Sequence, residues 1–78
     1  MEIFPNPFMD QTTIQFSENF VNGKLILFNA QGQLIREINS ISGNQITLNR
    51  DGLAPGLYFI RLENGTNSFN VKITIANN

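Results

Sequence analysis

Six side chains carry a carboxylate: Glu2, Asp10, Glu18, Glu37, Asp51 and Glu63. The chain contains no His and no Cys, so the familiar nucleophile–base pairs of covalent catalysis cannot be assembled. No two of the acids stand at a spacing that suggests an acid/base couple, and a domain without catalytic activity is expected. Asp51-Gly52 could open a calcium loop, but the alternating carboxylates of such loops are missing, and a turn is the better account. Asn64-Gly65-Thr66 fits an N-glycosylation acceptor, yet a hairpin turn explains the same residues more directly. No cofactor or metal is implied. What remains are residues that shape or present a surface. Gly56, after Pro55, suits a turn that releases the chain into a strand with close backbone approach, a structural reading preferred over direct contact with a receptor. Tyr58 is expected to return its hydroxyl to a loop carbonyl, as buried tyrosines usually do. Lys72 projects from the polar face of the last strand, as a solvated charge or as a contact for a partner.

These residues must be held by a small body. A chain of 78 residues buries only about 60% of the surface its unfolded form exposes. Without Cys it has no disulfides, and without His it lacks the usual metal staples of small domains. Stability must come from apolar packing, for which a hydrophobic fraction of 41% and seven Phe provide the material. The net charge of −1 is spread along the chain with both signs mixed. No basic face forms, so a nucleic-acid partner is not expected. No run reaches the length of a membrane span. The first residues lack the basic start and apolar stretch of a signal peptide.

The apolar period is two. In "FNVKITI", Phe69, Val71, Ile73 and Ile75 share one face while Asn70, Lys72 and Thr74 share the other, which argues a half-buried strand. "TIQFS" and "QITL" repeat the alternation with Ile14 and Phe16, and with Ile46 and Leu48. "KLILF" (24–28) and "GLYFIRL" (56–62) are apolar on both faces and suit central strands. Asn and Gly punctuate the chain between these runs as turns. "NAQGQ" (29–33), with Gly32, and "ENGTN" (63–67), with Asn64-Gly65, read as hairpin loops. "SISGN" (40–44) and "NRDGLAPG" (49–56) are the other connections. Strands are predicted near residues 11–17, 23–29, 33–39, 44–49, 56–63 and 67–75. Their spacing suggests an antiparallel β-sandwich or barrel. The last strand is long, apolar on one face, and suited to a sheet edge.

"FPNPF" (4–8) is the stiffest segment. Pro5 and Pro7 fix their own φ near −65° and push Phe4 and Asn6 out of the α region. Both prolines lack an N–H, so the segment cannot sit inside a sheet. It is expected to run extended as an edge or lead-in strand that lays Phe4 or Phe8 against an open end of the sandwich.

These segments, taken in order, resemble the type A C-terminal sorting domains (the Por secretion tail) of the type IX secretion system of Bacteroidetes-type bacteria. "FPNPF" is similar to the family's "YPNP" opening, with Pro5, Asn6 and Pro7 matching and Phe4 in place of Tyr. "KLILFNAQGQLIREI" resembles its second signature, with Phe28, Asn29 and Gly32 at the Tyr, Asp and Gly positions and Gln33 where Arg is usual. "ITLNRDGLAPGLYFIRL" carries Leu53, Gly56 and Tyr58 in the family's L-x-x-G-x-Y spacing. "NVKITI", with Lys72, resembles the closing motif, although "IANN" follows where a basic residue is common. The resemblance covers nearly the whole chain. It implies an Ig-like sandwich of about seven strands, residues 1–78 forming one sorting domain at the end of a larger secreted protein. The implied partners are an N-terminal cargo, the outer-membrane translocon and a sortase-like signal peptidase, with passage through the periplasm to the cell surface. The competing reading is an Ig-like or fibronectin-like interaction module of a surface enzyme, for instance one that binds carbohydrate; the chain has no Trp and one Tyr from which to build a sugar platform. If the last strand is an exposed edge read by strand addition, removing Phe69 to Asn78 is expected to strand a fused cargo in the periplasm.

Overall fold

Alternating apolar residues become strands here wherever a neighbouring strand is available to pair with them. In a computed structural model describing residues 1–77 the chain is all-β. Its strands are β1 (Glu2–Phe4), β2 (Gln11–Asn29), β3 (Leu34–Asn49), β4 (Gly56–Asn64) and β5 (Asn67–Ile75). All pairings between them are antiparallel, in one sheet ordered β1-β2-β4-β5. β3 lies along the other side of β2, while β1 and β4 share its remaining side at opposite ends.

The length of β2 dictates the shape. Nineteen residues would span about 60 Å if straight, but the longest dimension of the molecule is 35 Å. The β2–β3 hairpin therefore bends. Eight steps of β2, Gln15 to Gly23, pass only four of β3, Gln45 to Ile41, with register shifts on either side of Phe20. Extra residues on one strand force a bulge and a sharper local twist. Asn22 (φ 54°) and Ser40 (φ 60°) take left-handed backbone at this corner. The sheet thereby folds over itself into two faces that enclose one apolar cluster.

That cluster joins Phe8, Ile14, Phe16, Phe20, Leu25, Leu27, Ile41, Leu48, Tyr58, Ile60, Leu62, Ile73 and Ile75. Phe20 sits at the corner, stacked on Phe16 with ring centroids 4.0 Å apart. Its ring leaves no room beneath: a Cβ on Gly23 would collide with Phe20 Cδ2 and lie 3.1 Å from the Glu63 carbonyl oxygen. This is where the backbone requires close approach.

The all-β antiparallel expectation holds, with one change in count. Among the described residues five strands form rather than about seven. The strands predicted at 11–17 and 23–29 are two halves of β2, and those at 33–39 and 44–49 are two halves of β3. The Asn and Gly residues between them bend a continuous ladder instead of ending it. "KLILF" and "GLYFIRL" are central strands, as expected, but only one face of each is enclosed. Leu25, Leu27, Tyr58, Ile60 and Leu62 point inward, whereas Leu57 and Phe59 remain exposed on the outer face.

Candidate recognition edge

The proline segment closes the folded sheet. Phe8 forms a parallel bridge with Ile75, its N–H donating to the Thr74 carbonyl at 3.1 Å and its carbonyl accepting from Ala76 N–H at 2.7 Å. Asn6 Oδ1 accepts from the Thr74 N–H at 3.0 Å. On the other side, the buried Thr12 of β2 donates its hydroxyl to the Pro5 carbonyl at 2.7 Å. Residues 5–8 thus staple the start of β2 to the rim of β5. Of the two phenylalanines, Phe8 is the buried one at 1% exposure, and Phe4 is 50% exposed. The segment does not run extended. Both Phe4-Pro5 and Asn6-Pro7 are cis, and residues 5–7 bend. Phe4 is still paired to Thr13 of β2 while Phe8 already touches β5, so the chain must turn between two ladders.

This arrangement fixes which groups of β5 are free. In an antiparallel strand the N–H and C=O of one residue point to the same side, and successive residues alternate. Both groups of Thr74 bond residues 6 and 8, away from β4. By the same alternation, Lys72, Asn70 and Ser68 direct their backbone groups outward, where no strand among the described residues pairs with them. Residues Tyr58 to Asn64 of β4 occupy the inward side.

The side chains above this rim form a groove of about 360 Å³ lined by Phe28, Phe59, Ile60, Arg61, Asn70, Val71 and Lys72. The ladder explains it. Phe28 faces Phe59, which faces Lys72, in one row across three strands; Ile26, Arg61 and Asn70 make the next row. Rows on a sheet run across the strands, so the groove between them opens at β5.

Loop geometry follows from a few polar side chains. Asn29 organises the β2–β3 turn, its Oδ1 accepting from Gln31 N–H (3.0 Å) and Gln33 N–H (2.9 Å) while its Nδ2 donates to Gln33 Oε1 (2.8 Å). Gly32 follows at φ 85°. Tyr58, buried in the core, donates its hydroxyl to the Ala54 carbonyl at 2.7 Å, as its sequence position suggested. Asp51-Gly52 forms a turn closed by Leu53 N–H to the Arg50 carbonyl at 3.0 Å. Among the described residues, no group of three or more acidic side chains could hold a metal ion, and no helix is long and apolar enough to cross a membrane.

A family model described as "Secretion system C-terminal sorting domain" matches residues 2–76. The chain belongs to that family. It is also similar to beta-agarase A of Zobellia galactanivorans, 29% identical over 60 residues, which is 77% of this chain and 11% of that protein. The sorting domain thus corresponds to a small fraction of the length of the curated relative it matches. A domain of this kind sorts proteins for secretion and is not itself catalytic, and it belongs with proteins destined for secretion or the cell surface.

Within the sorting domain, the residues singled out from sequence fall into two places. Pro5, Asn6 and Pro7 lie in the segment that caps β5 through Asn6 and Phe8, and Lys72 lies on β5 itself, two residues before Thr74. Gly32 lies within the β2–β3 loop, Gly56 opens β4, and Tyr58 stands two residues into that strand. Gly56 is not a point of close approach: a Cβ there would meet nothing within 4 Å. Its φ of 137° is what demands glycine. The Asn64-Gly65 hairpin is present but centred one residue later, with Asn64 paired to Asn67 and Gly65-Thr66 forming the loop. The Asn64 amide is engaged rather than free. Its Nδ2 donates to Glu18 Oε2 at 2.6 Å and to the Asn19 carbonyl at 3.2 Å, and its Oδ1 accepts from Val21 N–H at 3.1 Å.

Sequence reasoning missed two arginines. Arg36 donates to the carbonyls of Asn49 (2.6 Å) and Arg50 (3.2 Å), tying together the two ends of the bent β3. Arg50 donates to the carbonyls of Leu53 (2.9 Å), Met9 (3.2 Å) and Ala76 (3.4 Å). The only sequence signal was Arg50 standing before the Asp51-Gly52 turn, where an arginine fork can reach the loop's own carbonyls.

Proposed function

We propose that this sorting domain, residues 1–78, is the address label of a larger secreted protein of the type IX system. The cargo lies on its N-terminal side and crosses the inner membrane by a separate signal. The folded domain is read in the periplasm by the outer-membrane translocon. A sortase-like peptidase then removes it as the cargo is attached at the cell surface. Reading occurs at the β5 rim, by addition of a translocon strand. The observation that supports this is the row of unpaired outward groups at Ser68, Asn70 and Lys72, left in a family whose task is recognition. Exposed edges invite pairing, and main-chain hydrogen bonds supply affinity.

The test must spare the core. Deleting Phe69 to Asn78 would also remove the buried Ile73 and Ile75. Asn70→Pro is sharper, because the N–H it removes lies outside the β4 ladder and edge proline is tolerated there. In a fusion of residues 1–78 to a periplasmic reporter, this variant should fold yet leave the reporter in the periplasm. Normal surface export of a folded Asn70→Pro fusion would refute recognition at this edge.

A further inference from the structure

We propose that the β5 rim and the groove beside it form one docking site for a short extended peptide bearing a carboxylate opposite Lys72. This rests on the reading of β5 as the recognised edge, and adds the chemistry of the partner strand. The rim is open only in the middle. Beyond Lys72, Phe8 and Asn6 occupy the backbone groups of Thr74. At the other end, β5 turns into the Gly65-Thr66 hairpin. The free stretch from Ser68 to Lys72 accepts a guest of about five to seven residues.

Charge selects the guest. Lys24 pairs with Glu37 and Arg61 with Glu63, while Arg36 and Arg50 are spent on carbonyls. Among the described residues Lys72 is the lysine or arginine side chain left without such a partner, and it stands exposed on the rim. The opposite end of the window carries the Glu18 carboxylate, held by the amides of Asn64 and Asn67 (2.6 and 3.4 Å). The rim is therefore positive at Lys72 and negative near Asn67, so the guest's acid belongs at the Lys72 end. The neighbouring outward side chain of the guest, two residues away, faces Asn70 at the mouth of the groove. The rings of Phe28 and Phe59 line the groove, so that side chain is apolar. For an antiparallel guest the pattern is acid-x-apolar.

The probe is acetyl-Ser-Thr-Asp-Thr-Phe-Thr-Ser-amide, titrated into the ¹⁵N-labelled 78-residue chain beside the same peptide with Lys for Asp. The Asp peptide should shift the amides of Ser68, Asn70 and Lys72 and bind roughly fivefold or more tightly than the Lys peptide, the scale of one cross-strand charge pair. Lys72→Glu should invert that preference. Phe59→Ala should weaken both peptides while preserving the ratio. Equal binding of the two peptides overturns the proposal, as does no binding, shifts confined to another surface, or protection of the rim amides by concentration-dependent self-association alone. The two readings fail separately. Charge-selective binding with normal export of a Lys72→Glu fusion leaves the docking site standing and removes its part in sorting. Loss of export in Asn70→Pro without charge-selective binding removes the docking chemistry alone.

Discussion

Truncating Phe8 is the most severe change that a single side chain outside the regular strands should produce. Its ring is 1% exposed within the core cluster, and its backbone holds Thr74 and Ala76. Phe→Ala at such a site removes the transfer energy of the ring and leaves a cavity, together about 3–5 kcal/mol. A domain of this size has a total stability of about 4–12 kcal/mol. At about 4–8 °C per kcal/mol, Phe8→Ala should lower the melting temperature by roughly 12–40 °C. Phe4, half exposed four residues earlier, is the internal control, and Phe4→Ala should cost less than about 1 kcal/mol. Thermal unfolding followed by far-ultraviolet circular dichroism, with urea titration to check that the m-value is unchanged, measures both. If the two variants melted within a few degrees of each other, the proline segment would not be closing the sheet through Phe8, and the account of the β5 rim would fall with it.

Removing the Tyr58 hydroxyl with Tyr58→Phe should cost about 0.5–1.5 kcal/mol by urea titration, since the ring stays packed while the Ala54 carbonyl loses its donor. The two glycines at special positions should fail for different reasons. Gly56→Ala should cost about 1–3 kcal/mol from backbone strain alone, whereas Gly23→Ala should cost more, because Phe20 and the Glu63 carbonyl must both give way; only for Gly23→Ala should trimming Phe20 to Leu recover part of the loss. Arg50→Ala should destabilise by about 2 kcal/mol, since three carbonyls lose a charged donor, and Arg50→Lys should restore little of it because an ammonium cannot reproduce the fork. Lys24→Ala, by contrast, breaks an exposed pair at 3.7 Å and should change stability by less than about 1 kcal/mol.

Much of the architecture is legible in side-chain alternation. "FNVKITI" declares both its strand and its enclosed face, and Ile73 and Ile75 are indeed buried. The Asn29–Gln33 and Asn64–Asn67 loops were readable because few other residues accept those backbone angles. The corner between the halves of β2 was not readable. Asn22-Gly23 and Ser42-Gly43 carry the same signal whether they end a strand or bulge it, since both uses need positive φ. What separates the two outcomes is whether the partner strand bends at the same height, a long-range fact absent from either segment. The same limit hid the arginine contacts. Arg50 meets the carbonyls of Met9 and Ala76 only after the ends of the chain have been brought together. At the rim, Lys72 was visible as an outward charge, but its row with Phe28 and Phe59 exists only once three strands are in register.

The continuous course of β2 and β3 through both faces has a consequence for how the molecule comes apart. Neither half owns a complete set of strands, so neither can melt while the other persists. Loss of order at one end must propagate around the corner at Phe20 to the other, and the domain should unravel in one step. A transport machine that met it would handle a rigid particle or a loose thread, with nothing populated in between.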